Sequence, residues 1–159
     1  MARYFRIVQA RWAETAMDGE GARIHGGRWN PEGLAAVYLA ESRALAMLEI
    51  VVHAPREILK LDWRIIEVTV PDALIEMVSE LPSDWAELPS SRGARILGAA
   101  WLKRAGSPCL KLPSVVVPAE HTLLVNPRHP DFRNLEISAP QRFLFDARLG
   151  VSTVALHKS

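Results

Sequence analysis

The sequence predicts an α+β fold in one compact domain, and three observations lead there. Short runs rich in β-branched and aromatic residues recur between prolines and glycines. Only two segments, Glu41–His53 and Ser91–Ala105, carry apolar residues at helical spacing. No composition break divides the 159 residues into two units. A chain of this length can bury one real core. The expected domain is 1–159, with a core of about 4–149 and a tail over 150–159.

The elements follow in order. Tyr4 to Val8 reads as a first strand, and Ala13 to Glu20 as a turn or short helix. A glycine-rich loop then runs from Gly21 to Gly33, where Gly26-Gly27 permits the tight turn that aims Arg28. Ala35 to Leu39 is a short apolar strand, and the helix Glu41–His53 ends before Pro55. Ile58–Leu61 and Arg64–Val70 read as strands, the second alternating through Ile66, Val68 and Val70 until Pro71 breaks it. Leu74 to Val78 fits a strand or a helical turn. Pro82 to Ser91 is a loop carrying Trp85.

The helix over Ser91–Ala105 follows, stopped by Gly106 and Pro108. Cys109 to Val117 is a strand interrupted at Pro113-Ser114, which implies an edge, a bulge or a bend. Thr122–Val125, Leu135–Ile137 and Arg142–Phe145 complete the strands, with the rigid loop NPRHPDF between the first two. Beyond Arg148 the tail reads as a strand or an ordered arm.

Composition excludes several classes. Hydrophobic residues at 49% and charged residues at 23% are ordinary for a globular protein. A net charge of +1 leaves no broad basic face for nucleic acid. The single cysteine, Cys109, cannot form an intrachain disulfide and fits a reducing compartment. The N-terminus has no secretory h-region, and no run is long enough to span a bilayer, so the expected location is the cytoplasm.

Three polar residues stand out by context. Arg28 sits on the glycine loop beside Trp29. Glu49 is the only charge among the nine residues Ala44 to Val52. At about 100° per residue it projects roughly 40° from Leu45, at the edge of an apolar stripe, on a helix apolar on its other side too. An ionised carboxylate in such surroundings requires a cation or hydrogen-bond donors, and Arg28 is the expected cation. The bland alternative is a glutamate that protrudes from a partly exposed helix. Ser114 lies where the strand departs from regular pairing; its alternative is a bulge serine bonded to nearby backbone. Tyr38, 11 residues before Glu49, could share its cleft or be a core aromatic. His53, His121, His129 and Asp131 form no recognised metal-ligand spacing, so no metal is expected. GxSxG, GxGxxG and GxxxxGK[ST] motifs are absent, which argues against α/β-hydrolases, conventional dehydrogenases and P-loop enzymes.

The segments GGRWNPEG, VYLAES, LE and LPSVVVPAEHTLLVNPRHPDF resemble the RES domain family, toxins of RES–Xre bacterial toxin–antitoxin pairs. The family arginine falls on Arg28, the glutamate on Glu49, the serine on Ser114, and Tyr38 matches the aromatic expected near the site. The resemblance implies a split β-core with packed helices, similar to the ADP-ribosyltransferase toxin fold. It implies an enzyme that cleaves the nicotinamide–ribose bond of NAD⁺, with water, phosphate or a protein side chain as acceptor. Arg28, Glu49, Ser114 and Tyr38 would be catalytic, and Arg28, Tyr38, Trp29 and Asn126 would line the NAD⁺ site. NAD⁺ is a substrate here, and no resident cofactor is expected. The implied partner is an Xre-like antitoxin covering the site, with a toxin homodimer inside that complex and no direct contact with nucleic acid or membrane. The order arginine, glutamate, serine differs from arginine-modifying transferases of similar fold, where serine precedes glutamate. A module that binds nucleotide without turnover, and a nuclease-type toxin, are the alternatives; near-neutral charge argues against the nuclease.

Overall fold

In the computed structural model, which describes residues 1–150, eight strands form one mixed sheet. β1 (Ala2–Gln9) pairs antiparallel with β3 (Trp63–Val70) along its whole length. β7 (Glu136–Ile137) and β8 (Gln141–Phe143) add to the outer side of β3. On the other side lie β2 (Val37–Ala40), β6 (His121–Val125), β5 (Cys109–Pro113) and β4 (Ile75–Met77), the last parallel to β5. These two groups join between β1 and β2 through one register pair, Phe5 with Ala40. The sheet is continuous in pairing but nearly parted at that join.

Both faces of the sheet are covered. On β6, Leu123 and Val125 point to one core with Tyr4, Val37, Leu39 and Val68, while Leu124 points to another with Trp29, Trp101 and Leu112. The helix α1 (Glu20–His25) occupies the start of the stretch expected as open loop. α2 (Arg43–His53) packs Leu45 and Ala46 against Phe5, Ile7 and Trp63. α3 (Arg92–Arg104) packs Ala94, Trp101 and Leu102 against Leu110, Leu112 and Leu124.

Serines cap both longer helices. Ser42 accepts from Leu45 N at 3.0 Å and Ser91 from Ala94 N at 3.0 Å, which satisfies N–H groups that the first turn leaves unpaired. Ala105 takes the left-handed conformation that ends α3 (φ 52°), one residue before the expected Gly106.

Some expectations need correction. Residues expected as a strand at Ile58–Leu61 fall within and just after a 3-10 helix, Arg56–Lys60, which buries Leu59 and has the indole of Trp63 donating to the Ile58 carbonyl at 2.9 Å. Pro55 starts that turn, and a propensity reading of ILKL does not see it. The ambiguous stretch divides into a 3-10 turn, Asp72–Leu74, and β4. The strand from Cys109 stops at Pro113, so Val115–Val117 belong to a loop. The expected tail element beyond residue 150 lies outside the described residues.

Candidate active site

One cavity of about 1260 Å³ opens beside the join between the two halves of the sheet, and Arg28, Trp29, Tyr38 and Glu49 all line it. That volume exceeds the range usual for drug-sized ligands and has room for a dinucleotide. The loop from Gly26 to Gly33 forms one wall and α2 another.

The glycine loop is held from within by Asn30, which is completely buried. Its amide donates to the carbonyls of Ala22, Pro31 and Leu34 at 2.9, 3.1 and 3.1 Å. Tyr38 donates its hydroxyl proton to Asn30 Oδ1 at 2.5 Å and accepts from Trp29 N at 3.0 Å. Its hydroxyl is thus committed to the loop, and burial pushes its pKa well above the ordinary tyrosine value. The phenol stays neutral, and its ring forms part of the wall. A Cβ on Gly27 would meet the Tyr38 hydroxyl at 2.6 Å, so only glycine lets the loop approach this closely.

Glu49 does not meet Arg28 in an ion pair. Its Oε1 accepts from Ser114 Oγ at 3.0 Å. That hydroxyl also accepts from Val116 N and Val117 N at 3.1 and 3.2 Å. A serine hydroxyl has one proton and two lone pairs. With both backbone N–H groups on the oxygen, the proton is left for Glu49, so the arrangement suits an ionised carboxylate. Ser114 is thus bonded to nearby backbone and at the same time to Glu49. Nor is α2 apolar-covered on every side. Val52 is 58% exposed, because that side of the helix opens to the cavity and solvent.

Arg28 instead donates from Nη1 to the carbonyls of Trp85 at 3.0 Å and Glu87 at 2.8 Å. It latches the strap between β4 and α3, whose Leu88, Pro89 and Ser90 form a further side of the cavity. Trp29 is buried and stacks on Trp85, with ring centroids 6.5 Å apart and 18° between planes. Its place is in the packing that backs the cavity.

Asn126 is elsewhere and does not line the cavity. It accepts from Arg128 N at 3.0 Å and donates to the Leu102 carbonyl at 3.4 Å, bracing the turn after β6. Of the histidines noted in the sequence, His121 and His129 also lie away from the cavity. His121 faces Glu41, and His129 caps a 3-10 turn by accepting from Asp131 N at 3.0 Å. His53 lines the cavity one turn beyond Glu49.

Residue-by-residue reading passed over Arg6. It lines the same cavity and donates from Nη1 to the Tyr38 carbonyl at 3.1 Å, across the parting of β1 and β2. Its Nε is buried without a hydrogen-bond partner among the described residues, and burial lowers its pKa. The signal was present: an arginine inside the otherwise apolar run YFRIV needs a reason to be there.

Residues 3–146 match the RES domain model. The chain belongs to the RES domain family. This RES domain is 39% identical over 138 residues to a protein of Sphingobium sp. (strain YBL2) named Prs ADP-ribosylating toxin, covering 84% of this chain and 86% of that one. It is 37% identical over 148 residues to Toxin Res of Yersinia enterocolitica, covering 91% and 97%. The fold is similar to a chain in the crystal structure of the M. tuberculosis MbcT–MbcA toxin–antitoxin complex, with a TM-score of 0.73, 22% identity, and coverage of 90% of this chain and 84% of that one. By family and by relatives, the RES domain described here groups with bacterial toxins. Among the described residues, no helix is long and apolar enough to cross a membrane.

Proposed function

We propose that this RES domain is a toxin that breaks the nicotinamide–ribose bond of NAD⁺ and transfers ADP-ribose to an acceptor. The observation that carries the reading is Glu49, held by Ser114 on the wall of a dinucleotide-sized cavity that Arg6 and Arg28 also line. The name of the Sphingobium relative supports it, since ADP-ribosylation requires an ADP-ribose donor.

The chemistry suits these groups. As the C1′–N bond breaks, its electron pair goes to the pyridinium nitrogen, which leaves as neutral nicotinamide. Positive charge grows on the ribose, as in glycoside hydrolysis. The carboxylate of Glu49 opposes that charge or holds a ribose hydroxyl. The acceptor then bonds to C1′ and gives up its proton. Ser114 keeps Glu49 oriented, and with both lone pairs of its oxygen engaged by Val116 N and Val117 N it has none free to act as a nucleophile. The ring of Tyr38 offers a face to the cationic nicotinamide. Arg6 and Arg28 supply cations for the diphosphate, with charge-assisted bonds of the kind a guanidinium makes to phosphate. For Arg28 this means exchanging two strap carbonyls for phosphate oxygens.

In this reading an antitoxin partner covers the cavity mouth, where Val52 and Leu88 present exposed apolar surface (58% and 77%). The MbcT–MbcA structure, a toxin–antitoxin complex of similar fold, supports such a partner.

The test is purified protein incubated with NAD⁺ and assayed for free nicotinamide by chromatography. Wild type is expected to release it, and Glu49→Gln to be slower by about 10²-fold or more. NAD⁺ that binds tightly and stays intact would make the domain a binding module and overturn the reading. Expression without antitoxin is expected to deplete NAD⁺ and arrest bacterial growth.

A further inference from the structure

We propose that Glu120 is a positioning residue for Glu49, the second anchor of a splint made by residues 114–120. Its catalytic consequence rests on the NAD⁺ reading above; its geometry does not.

Ser42 and Glu49 are seven residues apart on α2 and its cap. Seven residues of an ideal helix turn through about 700° and rise about 10.5 Å, which puts the two positions on one side of α2 at opposite ends of that rise. The loop after β5 ties that face at both points. At one end Ser114 Oγ donates to Glu49 Oε1 at 3.0 Å. At the other, Ser42 Oγ donates to Glu120 Oε1 at 2.6 Å.

The loop between these ties is braced internally. Ser114 N donates to the Glu120 carbonyl at 2.9 Å, and Glu120 N to the Val117 carbonyl at 2.9 Å. Val116 and Val117 pack into the cluster of Phe5, Leu45 and Ala46, under α2. The next residue pair repeats the link, with Glu41 N donating to the His121 carbonyl at 3.1 Å and His121 N to Glu41 Oε1 at 2.8 Å.

Two ties do what one cannot. Leu45 and Ala46 seat α2 on the core, and the two ties limit the small rolls about its axis that such packing leaves. A carboxylate several ångströms from that axis moves by roughly 1 Å for a roll of about 10°. Misplacement on that scale can cost about 10²-fold in rate. Glu120 blocks the roll by holding Ser42, whose only proton it takes while the same oxygen caps Leu45 N.

The experiment compares wild type, Glu120→Ala, Glu120→Gln, Ser42→Ala and the double alanine variant in two measurements, nicotinamide release from NAD⁺ and amide hydrogen exchange at Val116 and Val117. Glu120→Ala should lower kcat about 10-fold with KM for NAD⁺ unchanged. Glu120→Gln, whose amide oxygen still accepts from Ser42, should return to within about two-fold of wild type. The double variant should be no slower than the slower single one, because both remove the same tie. Exchange at Val116 and Val117 should quicken in Glu120→Ala and not in Glu120→Gln. Wild-type kcat in Glu120→Ala, or a glutamine variant as slow as the alanine one, overturns the proposal. If wild type itself releases no nicotinamide, the NAD⁺ reading fails separately; exchange then decides, and unchanged exchange in Glu120→Ala overturns the splint.

Discussion

Arg6 is a half-buried guanidinium whose Nε is buried and unpaired, and no carboxylate is in ion-pair contact with it among the described residues, Asp18 acting on it only from a distance. Desolvating such a charge is costly, and a hydrophobic replacement of similar length is often neutral or stabilising. If the cation is kept for a ligand, stability and function should separate. Arg6→Met is expected to raise the unfolding free energy by about 1 kcal/mol, or leave it unchanged, while raising KM for NAD⁺ at least about ten-fold. Thermal unfolding and steady-state kinetics on one preparation check both halves. A loss of stability with unchanged KM would make Arg6 purely structural. The sequence made Arg28 and Glu49 visible because each is a charge out of keeping with its neighbours. It could not show that their partners are the strap carbonyls and Ser114. Those contacts join positions 57, 59 and 65 residues apart, which local pattern does not encode.

At the scale of elements, the glycine loop, strap and α3 behave as one packed unit. The carbonyl of Trp29 lies directly on Gly98 of α3, and a Cβ there would overlap it. Trp29 stacks on Trp85 of the strap, and Asp84 accepts from Gly93 N at 2.9 Å at the start of the same helix. Gly98→Ala must therefore push α3 off the loop. Overpacking in a well-packed site costs about 1–3 kcal/mol, and the upper end is expected because backbone, not a flexible side chain, is the obstacle. Urea unfolding gives the value, and a midpoint equal to wild type would contradict the packing described. Helical spacing predicted both longer helices to within two residues, since caps and prolines are local signals. It missed α1 and mistook Arg56–Lys60 for a strand, because short segments carry too few residues to establish a period.

For the molecule as a whole, strand pairing is sparsest between β1 and β2, where one register pair and the Arg6–Tyr38 hydrogen bond link strands whose halves otherwise meet through the cores. A ligand in the cavity touches both halves and should stiffen the join. ADP-ribose at about 100 times its dissociation constant is expected to add about 2.7 kcal/mol to stability. For a domain of this size that corresponds to a rise of roughly 5–10 °C in Tm. Amide protection should increase most at Phe5–Ile7 and Val37–Leu39. An unchanged melt at saturating ADP-ribose would argue that the cavity does not receive this ligand.

The sequence by itself determined the fold class, the order of the long elements and the family, because periodicity, turn residues and the GGRWNPEG and LPSVVVPAEH segments are local properties. It also marked Arg28, Tyr38, Glu49 and Ser114 as unusual. Only the tertiary structure decided which of them meet. It joined Ser114 to Glu49, gave Arg28 to the strap, removed Asn126 from the cavity and brought in Arg6. The physical reason is that hydrogen-bond partners are chosen by chain crossings between distant segments, and a buried polar group takes whichever donor or acceptor the packing delivers.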